Sequence, residues 1–368
     1  MALLRDWLAL GKNTIDSLTT DDVARLYSND WAETRSVLLA DHQYAIEHER
    51  HRFRRWIRIV SAMMHGLVKR LSPVRRLLFV AGFALFFLCL FNVIGHLRNP
   101  PMWELSEMAF AFLVINVLLA MELIDKIKFR DELALARDLQ ATLIPKHPPH
   151  VPQYEIAAFN HIANTVGGDL YDFVPLEDGR VAVLFGDASG HGMAAGLVMA
   201  VSHAAFRTQL DIDPSPAAII GSLNRILCRT GGSRSFFACC YVLLSPDGTF
   251  SATVAGHPPI LRVDPKGKIV ERVGRGAYPL GIKTTLQWKE VIGKLELGDR
   301  LVLHSDGLTE AHNVDGREFG DAYVEAVIGW NASASASSLV DALVNEWRNF
   351  TAKRPSEDDV SIAAIERR

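Results

Sequence analysis

The stretch that decides the fold is RVAVLFGDASGHGMAAGLVMAVSHAAF, residues 180–206. It begins with a continuous apolar run at residues 181–185, which is typical of a strand in a sheet covered on both faces. The glycine-containing turn GDASGHG follows, and the small and apolar residues after it predict a helix. We therefore expect Asp187 to lie just beyond a buried strand, where its carboxylate can project into a cleft.

A carboxylate at the end of an apolar strand occurs at three further places in the chain. Each lies next to a short apolar run, as in the first stretch. The four places are Asp169 before YDFVPL, Asp187, Asp306 after the strand predicted at 301–305, and the pair Asp358 and Asp359 before the strand predicted at 360–365. The repeated arrangement predicts that folding gathers acidic side chains at strand ends.

Asp-Gly pairs are also a common hairpin signal, so a turn is the alternative interpretation. We favour a plain turn for 178–179, 247–248 and 315–316, because each pair lies between a polar flank and a strand. The segments GDASGHG and HSDGLTE differ, because they contain more glycine than a simple hairpin requires and a helical run follows each. For these two segments a functional role is favoured.

The composition narrows the chemistry that such acids can support. The net charge of −3 disfavours a nucleic-acid binder, and the four cysteines have no metal-ligand spacing, which disfavours zinc and redox sites. No phosphate-binding loop with lysine and serine or threonine is present. Several carboxylates suit Mg²⁺ or Mn²⁺, and two such ions about 4 Å apart can activate water against a phosphoryl group.

The first third of the chain predicts a membrane module. Residues 76–97 contain a run without charge that is long enough for a spanning helix, and a second apolar run at 108–121 spans if it is extended to 103–124. The alternative for the second run is a buried helix in an N-terminal bundle. Basic residues flank both runs, so both flanks and the catalytic region are expected in the cytoplasm, at the inner (plasma) membrane.

Four regions follow from this pattern. We predict an N-terminal helical cytosolic region at 1–75, a two-helix transmembrane hairpin at 76–124, a helical linker at 125–147 and a catalytic domain at 148–368. A narrow stripe along the linker suits either a parallel homodimer or a single helix packed on the next domain. Its members are Leu133, Ala136, Leu139, Gln140 and Leu143.

Six motifs occur in the order found in bacterial PPM-type serine/threonine phosphatases of the SpoIIE-like branch. They are GGDLYDF, GDASGHGMAAGLVMA, VAGHPPIL, YPLGI, LHSDGLTEAHNVDGREFG and DDVSI, and the resemblance covers about residues 130–366. It implies an α/β fold, the α-β-β-α sandwich, with two Mg²⁺ or Mn²⁺ ions. It also implies hydrolysis of phosphoserine or phosphothreonine in a signalling protein, with a STAS-type anti-anti-sigma regulator as one candidate substrate.

The resemblance also implies roles for individual residues. Asp187 would bridge both metals. The carbonyl of Ala188 would complete one metal site, and Asp306 and Asp358 would hold the other metal. Asp169 would bind the second ion, directly or through water. Asp187 and Asp306 are thereby the predicted catalytic residues. A shift of one position would make Asp359 the ligand instead of Asp358. Eukaryotic members have a histidine where this chain has Ser189, so no general acid is assigned.

Two other functions compete with this interpretation. VGGDLYDF, residues 166–173, resembles the GGDEF signature of diguanylate cyclases, but the glutamate that follows the acid in that signature is missing. A catalytically inactive scaffold that binds phosphoproteins is the second alternative, and the presence of every expected carboxylate argues against it.

Overall fold

The computed structural model describes residues 71–95, 102–163, 165–190, 192–230, 235–274, 277–352, 354 and 356–368. Most of the predicted N-terminal helical region therefore lies outside the described residues. The chain divides into two compact units, with the boundary between Ile127 and Lys128.

The first unit contains two apolar helices. Helix α1 spans Pro73–Gly95, and helix α2 spans Met102–Leu143 and continues into the second unit. Both are long and apolar enough to cross a membrane, by length and composition. Large apolar side chains such as Phe91 and Phe112 are exposed along them, which suits contact with lipid.

Helix α2 joins two segments that the sequence treats separately. The second apolar run and the predicted linker lie in one uninterrupted helix that ends at Leu143, two residues before Pro145. Within the predicted stripe, Gln140 is buried whereas Leu139 is 62% exposed. The two side chains therefore do not share one buried face, and Gln140 packs on the domain that follows.

The second unit contains ten strands and five helices within the described residues. In chain order these are β1 Tyr154–His161, β2 Leu170–Pro175, β3 Val181–Ala188, α3 Met193–Leu210, α4 Pro216–Thr230, β4 Phe237–Leu244, β5 Thr249–Ala255, β6 Ile260–Val263, β7 Ile269–Val273, β8 Glu290–Lys294, β9 Arg300–His304, α5 Asp306–Thr309, α6 Gly320–Trp330, α7 Ala336–Phe350 and β10 Val360–Arg367.

The strands form two five-stranded antiparallel sheets. One sheet has the order β1-β10-β9-β6-β7 and the other the order β2-β3-β4-β5-β8. The apolar faces of the two sheets pack against each other, while α3 and α4 cover one sheet and α6 and α7 cover the other. This is the α-β-β-α sandwich, so the predicted fold is confirmed.

The position of strand β3 explains why residues 181–185 are apolar without interruption. Val183 and Phe185 face the opposite sheet, whereas Ala182 and Leu184 face α3 and α4. Because successive side chains point to opposite faces and both faces are covered, every position must be apolar. The strand extends to Ala188, so Asp187 lies at its end rather than beyond it.

The three Asp-Gly pairs interpreted as plain turns are turns. Gly179, Gly248 and Gly316 all have positive φ values, of 82°, 88° and 75°. Asp178 and Asp247 each accept a hydrogen bond from the backbone amide two residues further on, as aspartate does in tight turns.

Candidate metal centre

The predicted acidic residues lie at the same ends of neighbouring strands. Leu170 of β2 pairs with Gly186 of β3, which brings Asp169 level with the end of β3 and with Asp187. In the other sheet, β9 ends just before Asp306 and β10 begins just after Asp359. The backbone amide of Ser305 donates a hydrogen bond of 2.9 Å to the carbonyl of Ser361, which keeps these two strand ends together.

Asp187 lies where the acids of both sheets meet. Its pKa is raised from 3.8 to about 9, first by burial and then by the negative charges of four neighbours. These neighbours are Asp169, Asp306, Asp358 and Asp359. The structure thus gathers all four predicted acidic ligands around one position, with Asp359 beside them.

Asp169 is the most deeply buried member of the group, with 2% of the residue exposed. Its pKa is raised to about 8, chiefly by burial and then by the charges of Asp359 and Asp306, while hydrogen bonds with Ser361 and Ser305 lower it. Its Oδ2 atom has no hydrogen-bond partner among the described residues. A buried carboxylate oxygen without a donor is costly, and a cation would offset that cost.

Two further oxygen atoms converge beside Gly168. A Cβ atom on Gly168 would lie 2.6 Å from Oδ1 of Asp187 and 2.7 Å from the carbonyl oxygen of Ala188. One point in space is therefore close to both oxygens, and it is open only because residue 168 is glycine. The carboxylate and the carbonyl are both ligand types that hard divalent cations accept.

Within the described residues, no three His, Cys, Asp or Glu side chains are already close enough together to hold a metal ion. The donor set nevertheless fits a divalent cation. It consists of oxygens only, its carboxylates repel one another, and one of them carries an unpartnered buried oxygen. A bound cation would relieve both the repulsion and the unpaired oxygen.

The structure also distinguishes the two neighbouring aspartates near the C-terminus. Asp359 is buried, and its two carboxylate oxygens accept hydrogen bonds from the amides of Ala163 (2.8 Å) and Gly168 (2.7 Å). Asp358 is exposed and caps the amide of Asp359 through Oδ1, at 2.8 Å. Because backbone amides occupy both oxygens of Asp359, the geometry favours Asp358 as the ligand.

Ser189 occupies the position of the eukaryotic general acid. Its hydroxyl accepts a hydrogen bond from the amide of Phe236 at 2.8 Å, and its own amide donates to the carbonyl of that residue at 2.9 Å. Ser189 thereby ties the end of β3 to the start of β4. His191, the nearest histidine in the turn, lies outside the described residues.

Sequence reasoning missed a cluster of ion pairs around the buried side chain of Asp172. The carboxylate of Asp172 accepts hydrogen bonds from Nε and Nη2 of Arg207 at 2.6 and 2.9 Å, and Nε2 of His203 lies 2.9 Å from it. Asp172 belongs to β2, and its two partners belong to α3. The one available signal was the acid Asp172 inside the otherwise apolar strand YDFVPL.

Gln140 of α2 also contacts the region of the candidate metal centre. Its side-chain amide bonds both backbone groups of Gly167, two residues before Asp169. The linker stripe contained this residue, but nothing in the stripe indicated a contact with the candidate metal centre.

Comparisons with known proteins agree with this fold. The family model for Stage II sporulation protein E (SpoIIE) matches residues 177–368. Phosphoserine phosphatase RsbU of Bacillus subtilis is 26% identical over 190 residues, which cover 51% of this chain and 56% of that protein. Phosphoserine phosphatase RsbP of the same organism is 25% identical over 190 residues, covering 50% and 47%.

Solved structures show the same architecture. The SiaA-PP2C domain of Pseudomonas aeruginosa superimposes with a TM-score of 0.58 at 20% identity, covering 66% of this chain and 98% of that domain. The RsbU and RsbW domains of a Mycobacterium tuberculosis protein give a TM-score of 0.51 at 30% identity, covering 60% and 63%.

The fold is that of a PP2C-type phosphatase domain. Since the family model matches more than half of the residues, the chain belongs to the SpoIIE family. The chain spans about half the length of the curated relatives it matches.

Proposed function

We propose that this protein is a metal-dependent protein phosphatase that hydrolyses phosphoserine or phosphothreonine in a bacterial signalling pathway. The observation that carries the proposal is the convergence of carboxylates from both sheets on Asp187. Membership in the SpoIIE family, and the phosphoserine phosphatase activity in the names of RsbU and RsbP, support the same reaction.

The proposed ligands divide between the two sheets. Asp187 would bridge two Mg²⁺ or Mn²⁺ ions, with Asp169 and the carbonyl of Ala188 on one side and Asp306 and Asp358 on the other. When bound, such a pair of ions supplies an activated water and offsets negative charge on the phosphoryl oxygens. The identity and the number of the ions are part of the proposal.

The residues of the chain have a defined task in this reaction. Asp187 and Asp306 would keep the negative charge of the site in one place, because strand β3 and strand β9 fix the backbone beside them. Transfer of a phosphoryl group depends mainly on positioning and on electrostatic stabilisation, so a rigid cluster of carboxylates is the main contribution of the protein.

The N-terminal segments suggest where the reaction occurs. We propose that 76–124 anchor the protein in the inner (plasma) membrane, with the domain at 148–368 in the cytoplasm. A STAS-type anti-anti-sigma regulator is the proposed class of substrate. Leu135 and Leu139 of α2 are 63% and 62% exposed, and they offer an apolar edge for a homodimer through the linker at 125–147.

The experiment is an assay of Mn²⁺-dependent phosphate release from an aryl phosphate by the full chain in detergent. The unaltered protein is expected to release phosphate, and Asp187→Asn is expected to be inactive. Activity that persists in the variant would place the reaction elsewhere. Binding of a phosphoprotein without hydrolysis would support the inactive scaffold, and synthesis of cyclic diguanylate from GTP would support the cyclase.

A further inference from the structure

Asn116 is the one residue with a hydrogen-bonding side chain in the apolar run at 108–121. This run belongs to helix α2 and lies within the stretch Ser106–Leu143, which is long and apolar enough to cross a membrane. The side chain of Asn116 is exposed. An amide is costly to transfer from water to hydrocarbon without hydrogen-bond partners, so a position that faces lipid is unfavourable for asparagine.

Helix α1 packs on the other side of α2 and does not cover Asn116. A Cβ atom on Gly82 of α1 would lie 3.5 Å from Cγ1 of Ile115 and 3.9 Å from the carbonyl oxygen of Ala111. Ala111 and Leu118 are buried. Because successive residues of an α-helix are about 100° apart, Asn116 lies about 140° from Ala111 and about 160° from Leu118 around α2. Asn116 therefore lies on the face of α2 that points away from α1.

The hydrogen bonds of the Asn116 amide are only partly made. Its Nδ2 atom donates to the carbonyl oxygen of Phe112, one turn earlier in the same helix, at 2.8 Å. A primary amide has two N–H donors and one acceptor oxygen, so one N–H and the Oδ1 atom have no partner among the described residues. Water is absent from the hydrocarbon core of a bilayer, so a group from another protein chain is needed to satisfy them there.

Small side chains flank Asn116 on the same face of α2. Ala109 and Ala120 lie about 20° and 40° from it around the helix, and both are exposed. Small residues let two membrane helices approach closely enough for polar side chains to form hydrogen bonds between them. The face thus combines an amide that lacks partners with room for a second helix.

We propose that Asn116 pairs with Asn116 of a second copy of this chain inside the membrane, and this inference rests on the proposed membrane anchor. The asparagine amide is self-complementary, because the N–H of each copy can donate to Oδ1 of the other. A twofold axis places the same residue on both sides of an interface, so one asparagine in each chain is sufficient. A single asparagine on an apolar helix face can also fix the register in which two helices pair.

This contact is separate from the proposed homodimer through the linker. Leu135 and Leu139 lie about 100° and 140° around α2 from Asn116, on a different face of the helix. Two copies paired at Asn116 would therefore cross within the membrane rather than continue along the linker as one coiled coil.

The test measures resonance energy transfer between full chains that carry a donor or an acceptor fluorescent protein at the C-terminus, in phospholipid vesicles over a range of protein-to-lipid ratios. Asn116→Leu removes the amide at a similar volume, and Asn116→Gln keeps it. Asn345→Leu makes the first change at an exposed asparagine of α7 and is the matched control. Alkaline carbonate extraction of the same vesicles reports whether each protein is held in the membrane.

We expect the dissociation constant of the pair to rise about fivefold or more in Asn116→Leu, because a hydrogen bond between helices is lost. Asn116→Gln should show a smaller rise, and the control should stay within twofold of the unaltered protein. An equal rise in both Asn116 variants would assign the effect to packing rather than to the amide, and would overturn the inference.

Two further outcomes would also overturn it. One is a dissociation constant within twofold of the unaltered protein in an Asn116→Leu variant that stays in the membrane. The other is the absence of energy transfer in the unaltered protein, which would point to a different membrane protein as the partner. Extraction of the unaltered protein by carbonate would overturn both the inference and the membrane anchor, while the proposed metal-dependent hydrolysis would stand.

Discussion

The carboxylate of Asp359 accepts a hydrogen bond of 2.7 Å from the backbone amide of Gly168, although 191 residues separate them. This bond ties the start of β10, in one sheet, to the segment before β2, in the other. Asp169 and Asp187 lie at strand ends of one sheet, and Asp306 and Asp358 lie at strand ends of the other. The position of one pair relative to the other therefore depends on this contact.

The adjacent residues Asp358 and Asp359 are expected to respond differently to the same substitution. Asp358→Asn should abolish most metal-dependent activity with a small change in stability, since the side chain is exposed. Asp359→Ala should lower the free energy of unfolding by about 2–4 kcal/mol, because the buried amide of Gly168 and the partly buried amide of Ala163 lose a charged acceptor. Urea unfolding in EDTA together with the phosphatase assay checks the pair. Equal loss of stability in both would contradict the assignment.

Asp187→Asn should separate activity from stability. We expect phosphate release to fall about a thousandfold or more, since the ligand contributes several kcal/mol to the transition state and each 1.4 kcal/mol is a factor of ten. In EDTA at pH 8, however, the variant should have a higher Tm than the unaltered protein, because burial first, and then the charges of the neighbouring acids, disfavour an ionisable carboxyl group at this position. A lower Tm would show that these costs do not dominate at this position.

The metal-free protein should lose stability as the pH rises from 7 to 9. The folded-state pKa values of Asp169 and Asp187 are raised to about 8 and about 9, so both groups favour the folded state while they are protonated. That contribution is fully present below the ordinary pKa of 3.8, falls as the pH rises, and is completely lost once the pH passes the raised values.

The buried His257 acts in another pH range, which keeps this test clear. Burial lowers its pKa to about 4, so its contribution is lost only as the pH falls below about 6.5. Tm measured from pH 7 to 9 should fall in EDTA and stay level in saturating Mn²⁺. A flat profile in EDTA would mean that the aspartates are not raised as described.

Arg207 is expected to stabilise the fold by neutralising Asp172. The Asp172 side chain is 1% exposed, so Arg207→Ala would leave a buried carboxylate with His203 as its remaining described partner. The expected loss is about 3 kcal/mol, near the lower end for breaking a buried pair because the arginine is itself half-exposed. Adding Asp172→Asn to Arg207→Ala should recover part of it. A double variant less stable than the single variant would refute this account.

Two Gly→Ala substitutions should affect different properties, the metal requirement in one case and the stability in the other. In Gly168→Ala the new methyl group collides with the oxygens of Asp187 and Ala188, so the Mn²⁺ concentration for half-maximal activity should rise about 10- to 100-fold. Gly221→Ala lies within α4 with no atom in reach of the new Cβ, and should raise stability by about 0.5–1 kcal/mol. Unchanged metal dependence in Gly168→Ala would contradict the cradle.

The strands, and the positions of the acids at their ends, could be predicted from the sequence because both follow from local rules. An apolar run such as that in β3 must be covered on both faces, and an aspartate at its end must lie at the sheet edge. The contacts that position the acids were not predictable in this way. Asp359 and Gly168 are 191 residues apart, and Gln140 resembles an ordinary linker residue, so only the folded backbone reveals what they bind.

The most direct test of the central claim is the anomalous scattering of Mn²⁺ in crystals of this protein. We expect strong peaks next to oxygens of Asp187 together with Asp169 or the carbonyl of Ala188, and with Asp306 and Asp358, at the short distances typical of such ions, about 2.1 Å for Mg²⁺. Crystals that bind Mn²⁺ elsewhere, or not at all at these aspartates, would contradict it.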